Sequence, residues 1–244
     1  NPANMKKIIV SILLICFITY SCDVSMSKKI KGNGNVKTEQ RNITSANKIK
    51  LAGNFDIELV QSATTGLSIE TDENLLSYIV TENKDGWLVI STKDNYNIST
   101  KNKLKITIST NLIEQINLAG NGNIIGKEKF SGGEKLKIVI SGNGDVNINI
   151  NAPKVDGEIV GNGNIIIQGE TKDATINIVG NGDYKGENLK AESAEVHITG
   201  SGSAKVFADV NLDIHITGSG DVYYKGNPSI TKSVTGSGSI KQIQ

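Results

Sequence analysis

Apolar and polar residues alternate along this chain in short runs that keep stopping at the same punctuation, Gly-Asn-Gly or Gly-Ser-Gly. Copies begin at Gly120, Gly142, Gly161, Gly180, Gly200, Gly218 and Gly236, at steps of 22, 19, 19, 20, 18 and 18 residues. A weaker copy is Gly32-Asn33-Gly34, and a degenerate one is Gly53-Asn54-Phe55. Two residues before the first glycine stand Leu118, Ile140, Ile159, Ile178, Ile198, Ile216 and Val234. Four before it stand Ile116, Ile138, Gly157, Ile176, Val196, Ile214 and Lys232, mostly aliphatic, and the position between these columns is mostly polar. Period-two alternation marks a strand with one face buried. Each period therefore reads as strand, glycine turn, strand, and one period as one coil of a stack whose neighbouring strands lie about 4.8 Å apart. The fold expected is all-β: a parallel β-solenoid with coils of 18–22 residues, in which equivalent residues pile into ladders.

The ladder model also accounts for the position after the motif, which holds Asn123, Asp145, Asn164, Asp183, Ser203, Asp221 and Ser239. No two aspartates fall in adjacent coils, as expected if like charges directly opposite one another are destabilising. The glycines suit corners, where the backbone needs positive φ or close approach. Between Gly53 and Gly120 the period fades. Strands are still expected at 67–69, 87–90 and 104–108, with a hairpin turn at Asn83-Lys84-Asp85-Gly86. A short helical turn is expected over 72–79 with Asp72 as its cap. This irregular stretch, with Trp87, is expected to close one end of the stack.

The N-terminal segment reads differently. Met5-Lys6-Lys7 precedes an apolar run from Ile8 to Ile18, too short to span a bilayer and suited to a secretory signal. Thr19-Tyr20-Ser21-Cys22 resembles a bacterial lipobox, with Thr19 where leucine is usual, so Cys22 is the expected site of lipidation. The expected organisation is a leader over 1–22, a tether over 23–31 and the solenoid over 32–244, the protein being held on a membrane by its lipid anchor. Cys16 would leave with the leader, so no disulfide forms in the mature chain. Asp23 follows Cys22, and the location expected is nonetheless the outer membrane.

Charge narrows the partners. The chain carries 26 basic and 25 acidic residues, a net charge of +1; without Lys6 and Lys7 the balance is 24 to 25, or about −1. Such a chain does not attract nucleic acid electrostatically. Arg41 is the lone arginine, and aromatics make up 5%, which leaves few bidentate forks or stacking platforms. His197 and His215, the two histidines, share a column in adjacent coils. They are candidates for a metal, but Asn177 and Ser233 beside them are poor third ligands, and a surface ladder is the better account. The Gly-Asn-Gly-Asp motifs lack the nine-residue tandem spacing of calcium rolls, and no nucleotide loop is present, so no cofactor is expected. Asp145, Asp183 and Asp221 share a column about 9.6 Å apart, at the edge of the range for an inverting glycosidase pair. With no inserted loop to build a cleft around them, turn residues are the better reading, and no enzyme activity is expected.

The run Gly32-Asn33-Gly34-Asn35-Val36, the segment Leu51-Ala52-Gly53-Asn54-Phe55-Asp56-Ile57, the serial Gly-Asn/Ser-Gly repeats and the ending Gly218 to Pro228 together resemble the "putative auto-transporter adhesin, head GIN domain" family. The resemblance covers the chain after the leader and implies a right-handed parallel β-helix, in keeping with the usual hand of parallel crossovers. It brings no catalytic or binding residues. The function expected is a non-catalytic envelope module presenting a rigid surface to glycan, matrix or protein. A self-associating spacer and a polysaccharide-active enzyme are the alternatives.

Overall fold

The computed structural model describes residues 27–131 and 133–244. Strands dominate, and they stack as a parallel β-solenoid. One wall is built from the strands that lead into each glycine motif: Lys48–Gly53, Gln115–Gly120, Lys135–Gly142, Lys154–Gly161, the C-terminal halves of Asn164–Gly180 and Asp183–Gly200, then Asn211–Gly218 and Ser229–Gly236. The other wall takes the strands that leave the motif, among them Asp56–Gln61, Asn123–Ser131, Asp145–Asn151, Ser203–Phe207, Asp221–Lys225 and Ser239–Gln242. Pairing is parallel and in register, so Gly53, Gly120, Gly142, Gly161, Gly180, Gly200, Gly218 and Gly236 form a single line.

Why glycine holds that line is visible at one corner. Gly161 has φ +127°, and a Cβ there would sit 2.5 Å from the carbonyl oxygen of Gly142. That carbonyl accepts from the amides of both Asn162 (2.9 Å) and Gly163 (3.0 Å) in the next coil. The second glycine answers a different need, because a Cβ on Gly163 would lie 2.7 Å from Ile140 Cγ2. Both positions need the space, and Gly161 needs the conformation as well.

The interior is filled by the aliphatic columns, with Ile116, Ile138, Ile176, Val196 and Ile214 facing Ile124, Val146, Ile165 and Val222. The gap at Gly157 has a specific cause. Tyr184 projects inward from the opposite wall with 1% of its surface exposed, and a Cβ on Gly157 would lie 3.2 Å from its ring. Gly186 is cleared by the same ring, and Ala204 stands beside Tyr184 in the next coil. One aromatic thus replaces several aliphatic side chains.

The end cap departs from a simple first coil. After the first coil (Lys48–Gly53 and Asp56–Gln61) the chain leaves the stack, caps it, and returns to lay Gln115–Gly120 on the other side of that coil. Within the excursion Trp87–Thr92 pairs parallel with Lys48–Gly53, and Lys105–Thr110 with Asp56–Gln61, making one further coil without a glycine corner. Antiparallel strands flank it: Ile79–Lys84 beside Trp87–Thr92, and Gly66–Asp72 beside Lys105–Thr110, followed by Val36–Arg41. The Asp85-Gly86 turn has both φ angles positive, at 51° and 80°, as a two-residue hairpin requires. Leu88 and Ile90 are buried, while Trp87 is half-buried at the hairpin.

Three expectations need correction. Gly32-Asn33-Gly34 is not a corner of the stack: it joins the strand Lys28–Lys31, which pairs with Tyr96–Ser99 in a separate two-stranded flap, to the antiparallel strand Val36–Arg41. Lys28–Lys31, placed in the tether on sequence, thereby forms a strand. Asp72 precedes the 3-10 turn Glu73–Tyr78 but makes no side-chain cap bond. Its buried carboxylate instead accepts from the Gly34 amide (2.8 Å), Asn102 Nδ2 (2.7 Å) and the Thr100 hydroxyl, pinning the flap to the body.

Candidate functional site

Since the interior is packed with side chains, any ligand must be met on the outside. The corner is lined by an asparagine ladder. Asn121, Asn143, Asn162 and Asn181 each donate through Nδ2 to Oδ1 of the asparagine one coil earlier, at 2.8–3.1 Å, starting from Asn54. Each amide satisfies its neighbour along the stack.

The adjacent ladder explains the alternation of aspartates more fully than charge avoidance does. Asp145 accepts from the Asn164 amide (3.0 Å) and Nδ2 (2.7 Å), Asp183 from the Ser203 amide (3.2 Å) and hydroxyl (2.7 Å), and Asp221 from the same groups of Ser239 at 2.9 and 2.6 Å. An acceptor-only carboxylate needs a donor side chain in the next coil, and a second aspartate there would supply none. The Ser239 hydroxyl and amide hold the Asp221 carboxyl below the ordinary carboxylate range, opposite to what a proton-donating acid requires. These three aspartates are corner staples.

His197 and His215 do come together. Their rings stack with centroids 4.9 Å apart and planes within 6°. Each Nε2 faces an acid of its own strand, His197 to Glu195 at 2.7 Å and His215 to Asp213 at 3.1 Å. Parallel stacked rings aim their nitrogens side by side, so they do not converge on one ion as a tetrahedral site demands. Among the described residues no group of three or more His, Cys, Asp or Glu is placed to hold a metal. Glu195 and Asp213 also border a shallow groove of about 630 Å³ with Asp156, Asp173 and Lys154. Within it Lys135 pairs with Asp156. Column reasoning brought the histidines and aspartates together correctly. It missed Asp72, because the residues around that carboxylate belong to no repeat. Cys22, the expected lipidation site, lies outside the described residues.

Comparisons with known proteins agree with this architecture. No curated protein matches the chain. A crystal structure of a "putative adhesin" from Bacteroides fragilis NCTC 9343 superimposes with a TM-score of 0.80 at 26% identity, covering 88% of this chain and 100% of that one. A "putative lipid binding protein" from Parabacteroides distasonis ATCC 8503 is 31% identical, with a TM-score of 0.72 over 89% of this chain and 100% of that one. A "putative adhesin" from Parabacteroides merdae ATCC 43184 shares the fold at 24% identity and a TM-score of 0.67. The family model described as "Putative auto-transporter adhesin, head GIN domain" matches residues 45–228, a span running from the end cap to the last full coil. The chain belongs to that family.

Proposed function

We propose that this protein is a non-catalytic, exported binding module, held at the cell envelope through Cys22 and presenting the outside of its solenoid to a glycan or protein partner. One observation carries the reading: the polar side chains of the coils are ordered into ladders that satisfy one another, with no convergent acid, base or nucleophile among them. Such a surface is rigid and regular, suited to recognition and unsuited to proton transfer. The family and the relatives named as adhesins support the same direction. The relative named for lipid binding points to an outer surface here, since the aliphatic columns fill the inside of these coils.

Glycan arrays and protein pull-downs with the mature chain test the proposal, and silence in both would overturn it. Incorporation of a fatty-acid analogue, lost in Cys22→Ser, tests the anchor, and membrane fractionation tests its placement in the outer membrane. A second reading, an envelope spacer that associates end to end, draws on the strand Ser229–Gly236, which is exposed along its length with Ile230 and Val234 uncovered. Sedimentation at rising concentration separates the two, because a persistent monomer contradicts the spacer.

A further inference from the structure

Resting on that reading of a binding module, we infer that the recognition site is the cleft between the flap and the first glycine corner, and that its ligand is a short uncharged saccharide. The cleft exists because the repeat fails there. From Gly53 to Gly218 each corner is covered on its C-terminal side by the next Gly-Asn/Ser-Gly corner. On the other side of Gly53 the neighbouring coil has none: Ser91 lies opposite Ala52, and the chain then swings outward through Lys93 to Asn95 into the flap strand Tyr96–Ser99. A gap of about 650 Å³ is left between the flap and Gly53-Asn54-Phe55, within the range of small-ligand sites.

Two features distinguish this cleft from the ladders. The first is the state of its polar groups. Along the corners, amides and carboxylates are spent on one another across coils. In the cleft the side chains of Ser91, Thr92, Asp94, Asn97 and Ser99 are not spent on other described residues in this way, which leaves their donors and acceptors available to a ligand. The second is the chemistry of the lining. Tyr96 is half-exposed and held by a tilted contact to Tyr78, with ring centroids 4.8 Å apart, and by Lys93, whose ammonium lies 5.9 Å from the ring centre. Phe55, Ile98 and Leu104 form an apolar floor.

A sugar has hydroxyl rims and apolar C–H faces, so it asks for scattered hydroxyl and amide partners together with an aromatic or apolar patch. No lysine or arginine lines the cleft, and Asp94 is its one charged residue. Among the lining residues a phosphate, sulfate or uronate would meet that carboxylate, and the Lys93 ammonium, held at the rim against Tyr96, is not one of them. An acyl chain fits no better, since it would leave the ring of hydroxyls and amides unpaired.

The test uses the mature protein and a panel of neutral and anionic oligosaccharides on an array, with the strongest binder then titrated against wild type, Tyr96→Ala and Asp94→Ala. Asp94 is exposed and belongs to no core contact, so its variant remains informative if Tyr96→Ala loosens the flap; circular dichroism and melting check both folds. A neutral glycan should bind with an affinity indifferent to salt and weaken about tenfold in each variant, the loss expected from one aromatic or hydrogen-bonding contact. Preference for anionic glycans, steep salt dependence, or unchanged affinity in both variants would overturn the assignment while leaving a glycan-binding module standing. No glycan bound by wild type would also overturn it, and the protein pull-down would then decide the broader reading on its own.

Discussion

Tyr184 and Gly157 offer the sharpest test of how this core is packed. The ring of Tyr184 is buried at 1% exposure, and its hydroxyl has no hydrogen-bond partner. Burial pushes the ionisation of that phenol upward, so at neutral pH the group is a neutral hydroxyl. A buried polar group without a partner costs about 1–3 kcal/mol, and Tyr184→Phe removes it without changing the shape of the ring. The variant should be more stable by about 1 kcal/mol, which in a domain of this size raises the melting temperature by roughly 2–4 °C. On the other wall, the 3.2 Å separation between a Gly157 Cβ and the ring leaves room for a methyl group only if the ring yields slightly. Gly157→Ile adds atoms where the ring already lies and should cost about 3 kcal/mol or more. Tyr184→Val leaves a void of comparable cost. The pair Gly157→Ile with Tyr184→Val rebuilds the aliphatic columns seen in neighbouring coils, so the double variant should recover much of the combined loss, with a coupling of about 1–3 kcal/mol. Urea titrations of the four proteins, followed by circular dichroism, measure each corner of the cycle. Additive losses would refute the claim that glycine at 157 answers to tyrosine at 184. A destabilised Tyr184→Phe would show that the hydroxyl has a partner, such as a bound water.

Other expectations follow from single sites. Gly161→Ala places a methyl group on the Gly142 carbonyl at a φ few side chains tolerate, so it should cost about 1–3 kcal/mol or more in urea titration, whereas Asn162→Ala, in the exposed ladder, should cost under about 1 kcal/mol. Asp72 is held below the ordinary carboxylate range by the Thr100 hydroxyl, Asn102 and the Gly34 amide. Because its folded ionisation is depressed, its contribution is present above the unfolded value of about 4 and is lost as pH falls through the folded value. Hydrogen exchange, corrected for intrinsic rate, should therefore show the Gly34 amide protected at neutral pH and released in strong acid, and Asp72→Ala, which removes the acceptor, should release it at neutral pH. Replacing His197 and His215 by asparagine should leave stability within about 0.5 kcal/mol, and zinc should not raise the wild-type melting temperature; a clear zinc-dependent rise would revive the metal reading. Lys232 occupies the column of Ile176, Val196 and Ile214 on an exposed strand, the kind of inward charge that keeps edges from pairing. Lys232→Ile should produce concentration-dependent association in sedimentation, and a strict monomer would count against that role.

What could be read from the sequence was whatever the stack repeats. A residue recurring every 18–22 positions meets its own kind above and below, so its column reports its surroundings: Ile178 and Ile198 had to face inward together, and His197 had to lie on His215. Departures from the columns carried information of another sort. Gly157 in an aliphatic column signals that something bulky arrives from elsewhere, but naming Tyr184 requires knowing which coil crosses to face it, and a ladder gives only neighbours along the stack. The end cap is harder still. Its pairing partners, such as Val36 with Asp72 and Ile79 with Thr92, run antiparallel at no fixed spacing, so Gly32-Asn33-Gly34 looked like a corner though it joins two unrelated strands. The same asymmetry bears on function. Repetition forces each polar residue to satisfy its image one coil away, and a surface whose groups are spent on one another has little left for a ligand. The hydroxyls of Ser91, Thr92 and Ser99 and the amide of Asn97 stand where the translation is broken, and the proposed site lies there for that reason.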